Sequence, residues 1–99
     1  MARKKTSILA EAEKLTNHDR KTSYGHPLDD YTRTAALFNA AFAHKISEKF
    51  QPEDIMLAMV LVKISREINS PKRDNRVDGA GYFNCIDMSY EERAKRKTK

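Results

Sequence analysis

The chain has one cysteine, no tryptophan, three glycines and three prolines among its 99 residues, and each shortage excludes something. A lone Cys85 can form neither an intramolecular disulfide nor a thiolate zinc cage, and it fits a reducing compartment. His18, His26 and His44 lack the i, i+4 spacing of a helical zinc pair. The longest apolar run, Ile55 to Val62, is eight residues, too short to span a bilayer. Arg3-Lys4-Lys5 is not followed by an apolar segment, so no secretory signal is expected. A cytoplasmic protein with no membrane partner follows as the expectation. No Ser/His/Asp arrangement, phosphate-binding glycine loop or reactive-cysteine setting is evident. Ninety-nine residues make one domain, and 39% hydrophobic with 33% charged residues suits a folded chain rather than a disordered one.

The net charge of +5 suggests nucleic acid until it is located. Arg3, Lys4 and Lys5 at the head and Arg93, Lys95, Arg96, Lys97 and Lys99 at the tail hold eight of the nineteen basic residues. Residues 6–92 therefore carry eleven cations against all fourteen acids, a net of −3. The basicity belongs to two ends expected to be flexible, residues 1–6 and 89–99, flanking a single helical domain over 7–88. Such ends solubilise, and they can hold a nucleic-acid backbone weakly and without sequence preference.

Ser7 is placed to cap a first helix running to about residue 17, with Ile8, Ala12 and Leu15 at helical spacing. Residues 20–26 form a polar loop, in which Gly25 permits a turn that other residues resist. Pro27 suits a first helical position, and Asp29 and Asp30 complement the dipole of a second helix over about 27–44. Its broad stripe of Tyr31, Ala35, Phe38 and Phe42 calls for burial against more than one neighbour. Pro52-Glu53-Asp54 repeats the start signal for a third helix to about residue 69. That helix is apolar nearly all round up to Val62 and is expected to be the central, most buried element. Ser70-Pro71 is read as capping and starting a fourth helix that ends near Met88. The expected fold is all-α, a compact bundle of about four antiparallel helices, with a core small enough to be completed by homo-oligomerisation.

Chemistry concentrates around the third and fourth helices. Lys63, Arg66 and Glu67 share one face of the third. Asp74, Asp78 and Tyr82 follow at i, i+4 and i+8 on the fourth, with Asn75 three residues before Asp78. A short corner lets the two sets face each other, either as a salt-bridge lock or as a binding pocket. Gly79 and Gly81 each cost a helix interior about 1 kcal/mol relative to alanine, so close approach by another helix or a ligand should compensate. The loop Arg20-Lys21-Thr22-Ser23-Tyr24-Gly25-His26 offers cations and hydroxyls for phosphate, with Tyr24 or His26 for stacking. Glu67, Asp74 and Asp78 could supply three magnesium carboxylates, but Lys63 and Arg66 among them would compete with the metal. Cys85 reads as a small core residue.

Tyr24-Gly25-His26-Pro27, Lys63-Ile64-Ser65-Arg66 and Asp74-Asn75-Arg76-Val77-Asp78-Gly79-Ala80-Gly81-Tyr82 together resemble a known pattern. It is that of short, mainly bacteriophage-encoded proteins of unknown function carrying YG-P, K-x-x-R and DN-x-x-D-x-x-GY. More distantly, the last two helices are similar to the core of MazG-like nucleotide pyrophosphohydrolases, which surround magnesium with E-E-x-x-E and E-x-x-D. Here Asn75-x-x-Asp78 stands for the second motif and the Lys63–Glu67 segment for the first. An amide and cations thus replace several carboxylates.

These readings converge on a non-catalytic binder of a nucleotide or cyclic-nucleotide-type ligand, with no cofactor. Arg20, Lys21, His26, Lys63 and Arg66 would hold phosphates. Asp74, Asn75 and Asp78 would read base or ribose, and Tyr24 beside Gly25, or Tyr82, would stack. Sequestration of a host defence signal is one form this would take in a phage. Two alternatives stand beside it: a divergent magnesium-dependent pyrophosphohydrolase using Glu67, Asp74 and Asp78, and a protein- or DNA-binding module acting through the basic ends.

Overall fold

Ser7 opens the first helix as expected, its Oγ accepting a hydrogen bond from the Ala10 N–H at 3.0 Å, which satisfies a backbone donor the helix leaves free. In the computed structural model, which describes residues 6–98 apart from 20, 21 and 23, four α-helices and one π-helical turn follow in order. They are α1 (Ile8–Lys14), the π turn (Leu15–Asp19), α2 (Pro27–Ala41), α3 (Pro52–Asn69) and α4 (Arg73–Lys97). The described residues contain no strand.

Helix α2 starts at Pro27, as its sequence signals predict, but its cap is His26, whose Nδ1 accepts from the Leu28 N–H at 3.0 Å. Gly25 before it takes φ +80°, the left-handed conformation glycine tolerates best. The helix ends at Ala41, earlier than residue 44. Asn39 brackets the peptide of Phe50, receiving its N–H at 2.7 Å and donating to its carbonyl at 3.1 Å. This pins the connector back onto the helix and seats Phe50 against the core.

The core joins Tyr31 and Ala35 of α2, Ile55 and Met56 of α3, and Cys85 of α4. Cys85 is 1% exposed and free, a small core residue as read from sequence. Helices α3 and α4 form an antiparallel hairpin: Ser89 meets the Met56 sulfur at 3.9 Å, and Asn75 donates to Glu67 at 3.2 Å near the corner. Not every helix is antiparallel to its neighbour. Helix α1 runs beside α4 in the same sense, with Glu11 on Arg73 near the start of both and Asn84 donating to Thr16 at 2.6 Å further along.

Two further expectations are corrected. The fourth helix neither starts at Ser70-Pro71 nor ends near Met88; it begins at Arg73 and continues to Lys97. Ser89, read as the first residue of a charged tail, is fully buried, and its hydroxyl donates to the Cys85 carbonyl at 2.9 Å. Beyond it, Arg93 contacts Glu53 at 2.6 Å, and Arg96 makes paired hydrogen bonds to Asp29 at 2.9 and 3.0 Å. Ion pairs at helical spacing hold this segment where an apolar stripe is lacking, so hydropathy could not reveal it. The second correction concerns α3. It is buried on one side only: Leu57, Leu61, Ile64 and Ile68 all face outward.

Candidate functional site

The α3–α4 corner is organised by a buried lysine. Lys63 leaves the apolar part of α3 nearly covered, and its Nζ lies 2.7 Å from Asp78 Oδ2 and 3.7 Å from Asp74 Oδ2. The hydrogen bond to Asp78 holds the ammonium above its ordinary value of 10.5, against the burial that pushes it down. Antiparallel packing makes the pair possible, because a residue late in α3 faces one early in α4. This is the salt-bridge lock that the spacing allowed.

Glu67 completes the corner differently. Its Oε1 accepts from the Lys72 N–H at 2.8 Å and from Asn75 Nδ2 at 3.2 Å, and its Oε2 meets Arg76 at 3.1 Å. The backbone hydrogen bond from Lys72 is the main cause that holds this carboxyl below its ordinary 4.5. A side chain from α3 thus satisfies a donor at the start of α4, which explains why that helix begins after the proline rather than at Ser70. It also directs Glu67 away from the role of metal ligand. Glu67, Asp74 and Asp78 each turn toward cationic or amide donors, and no group of three His, Cys, Asp or Glu side chains able to hold a metal occurs among the described residues.

The structure divides the sequence-predicted site into three places. Lys63, Arg66, Asp74 and Asn75 line an open polar cleft of about 630 Å³ at the corner. Ser65, Ser70 and Lys72 join them there, and sequence reasoning missed all three. Their signal was the polar density on both sides of Pro71. Asp78 and Tyr82 instead border a cavity of about 130 Å³ between α1 and α4, well below the roughly 300 Å³ at which small-molecule pockets begin. Tyr82 packs edge-on against Tyr31, with centroids 6.4 Å apart, so its ring serves the core.

The 20–26 stretch, expected to be a polar loop, is helical at Thr22 and Tyr24, and its last residue, His26, lies elsewhere. His26 Nε2 is 3.8 Å from Glu92, fourteen residues along α4 from Asp78, a separation of about 21 Å at 1.5 Å per residue. His26 borders a third cleft with His18 and Asp87, and its ring is engaged as the α2 cap. Tyr24 is exposed just before the Gly25 turn. Arg20 and Lys21 lie outside the described residues. His26 and the Lys63–Arg66 face therefore do not share one cleft.

The glycines separate in the same way. A Cβ on Gly81 would stand 3.2 Å from Thr16 Cγ2, so this glycine answers to the close approach of the π turn. Gly79 has nothing within 4 Å of its missing Cβ.

Compared with known proteins, residues 7–89 match the model of a domain of unknown function, DUF6378. The chain is 37% identical over 87 residues to the Gene 55 protein of Mycobacterium phage D29, covering 87% of this chain and 55% of that protein. It is also 37% identical over 82 residues to the Gene 55 protein of Mycobacterium phage L5, covering 82% and 51%. The chain thus spans about half the length of these relatives. No solved structure is a significant match. No helix among the described residues is long and apolar enough to cross a membrane.

Proposed function

This chain belongs to the DUF6378 family, whose relatives include phage proteins of unassigned function, and on that footing we propose that its corner cleft binds a phosphate-bearing, nucleotide-type ligand without turning it over. The observation that carries this reading is the state of the cations in the cleft. Lys63 is committed to Asp78, but Arg66 and Lys72 line the same cleft and have no carboxylate partner among the described residues. Arginine presents a planar fork of donors matched to phosphate oxygens, and Ser65 and Ser70 line the same cleft. Asp74, largely solvent-facing, supplies an acceptor for a base amine or ribose hydroxyl.

The proposed site is smaller than the one expected from sequence and leaves out the 20–26 loop, Asp78 and Tyr82. The carboxylates support binding without turnover. A magnesium-dependent phosphohydrolase needs several oxygens free for the metal, whereas Glu67 and Asp78 are spent on Lys72, Asn75, Arg76 and Lys63. In a phage setting, holding a nucleotide signal away from its receptor is the physiological form this activity would take.

Native mass spectrometry and thermal shift with nucleoside triphosphates and cyclic dinucleotides test the reading. One of these ligands should add its mass to the protein and raise Tm, and Arg66→Ala should weaken that binding by tenfold or more. A protein that carries no nucleotide and is stabilised by none of them would overturn it. Pyrophosphate release that Asp78→Ala abolishes would replace it with the hydrolase reading.

A further inference from the structure

We infer that the outer face of the α3–α4 hairpin is a self-complementary dimer surface, closed by a second copy of this chain across a twofold axis that crosses both helices. This stands apart from the cleft at the corner. Leu57, Leu61, Ile64 and Ile68 are between 45% and 79% exposed and recur at intervals of four, three and four residues, the seam spacing of helices that pack on other helices. On α4, Phe83 is 55% exposed and borders the same apolar groove as Ile64, Ile68 and Ala80. The molecule is a slab 19 Å thick with a radius of gyration of 15.4 Å, against about 13 Å for a compact chain of this length. Among the described residues nothing covers this face.

A second copy fits because both helices read as their own complement when reversed. Laid antiparallel on itself, α3 sets Leu57 opposite Ile68 and Leu61 opposite Ile64. Helix α4 at the same time sets Arg76 opposite Asp87 and Ala80 opposite Phe83. Every apolar position meets an apolar one, the large ring meets the small residue, and the half-exposed Arg76, which holds Glu67 in its own chain, meets Asp87 of the other. The open space beside Gly79 widens the crevice at Ala80 that receives the ring, which supplies the close approach that an otherwise unexplained helical glycine calls for.

One axis serves both helices. The α3 seam is centred between Val62 and Lys63, and the α4 set between Gly81 and Tyr82. The contacts Met56–Ser89 and Glu67–Asn75 place those two centres at the same height to about two residues, or about 3 Å. The surface is isologous, as in most homodimers. The paired positions run about 17 Å along each helix and about two helix diameters across, a patch smaller than the roughly 800 Å² per partner of a standard interface.

Sedimentation velocity and light scattering on the full chain test this directly. The expected particle has twice the 11.4 kDa chain mass at micromolar concentration. Ile64→Asp, at a position exposed in the single chain, should halve that mass while leaving the helical circular dichroism unchanged. Asp87→Arg should weaken the dimer at least tenfold by setting like charges opposite each other. A chain that is monomeric throughout the micromolar range overturns the inference. So does a dimer indifferent to Ile64→Asp, or one that Asp87→Arg leaves at full strength.

Discussion

Lys63 Nζ and Asp78 Oδ2 stand 2.7 Å apart across the α3–α4 hairpin, with the lysine nearly buried and the aspartate about one-third exposed. The asymmetry of burial makes the two halves of the pair unequal. Removing the carboxylate strands a buried ammonium whose next acceptor, Asp74, is 3.7 Å away. Removing the ammonium leaves a carboxylate that water can reach. Asp78→Ala should therefore cost about 2–3 kcal/mol, while Lys63→Met, which keeps the aliphatic packing, should cost about 1 kcal/mol or less. Urea denaturation of the two variants checks the order. Equal losses would show that the lock is not limited by the buried cation.

Glu67 is the acid-sensitive part of the corner. Its carboxyl titrates below its ordinary value because Lys72, Asn75 and Arg76 stabilise the ionised form. A depressed folded-state value means the contribution is fully present above 4.5 and is lost as pH falls through the lower value. Amide exchange at Lys72 and Asn75, the start of α4, should accelerate as pH drops below 4.5, beyond the intrinsic pH dependence of exchange. Glu67→Gln should show that acceleration already at neutral pH and lose the pH step. An unchanged step in the variant would assign it to Asp29 or Glu92, whose carboxyls Arg96 also holds low.

Much of this fold was legible because its signals are local. Ser7, Pro27 and Pro52 mark helix starts through backbone chemistry that needs no partner, and α3 runs over the residues its proline and acids indicated. The segment 89–97 was not legible, because it is held by Arg93 on Glu53 and Arg96 on Asp29, contacts distant in sequence and silent in hydropathy. The site was half legible. Helical spacing and a short corner set Lys63 beside Asp74 and Asp78, since those relations follow from hairpin geometry. Spacing could not tell that His26 would be spent capping α2, nor that it would sit beside Glu92, far along α4 from Asp78. The apolarity of Leu57 through Ile68 was plain in the sequence, but burial within one chain was the wrong conclusion from it.

Gly79 and Gly81, two residues apart in one helix, should respond in opposite directions to the same substitution. A methyl at Gly79 meets open space in the single chain, so Gly79→Ala gains the helix preference of about 1 kcal/mol. A methyl at Gly81 meets Thr16, which is buried and tied to the Ala12 carbonyl and Asn84. It cannot yield without breaking those bonds. Gly81→Ala should therefore be neutral or destabilising despite the same gain. Measuring both by denaturation in the Ile64→Asp background removes any contribution from a second copy, and stabilisation by both would show that Thr16 moves aside freely.

Arg93 and Arg96 lie one turn apart, yet they should differ sharply. Arg93 is the counter-charge of Glu53, a carboxylate almost wholly buried in the first turn of α3. The contact between them is ionic and makes no directed hydrogen bond to the buried Oε1. Arg93→Ala leaves that charge uncompensated and should cost about 3 kcal/mol. Glu53→Gln should recover most of the loss, since it removes the charge that needed compensation. Arg96 binds Asp29 and Glu92 at the surface, where water replaces a lost partner, so Arg96→Ala should be nearly silent at moderate salt. If the two arginine variants unfolded at the same denaturant concentration, Glu53 would have to be reaching solvent, and the helix end beyond Ser89 would be held by its surface ion pairs alone.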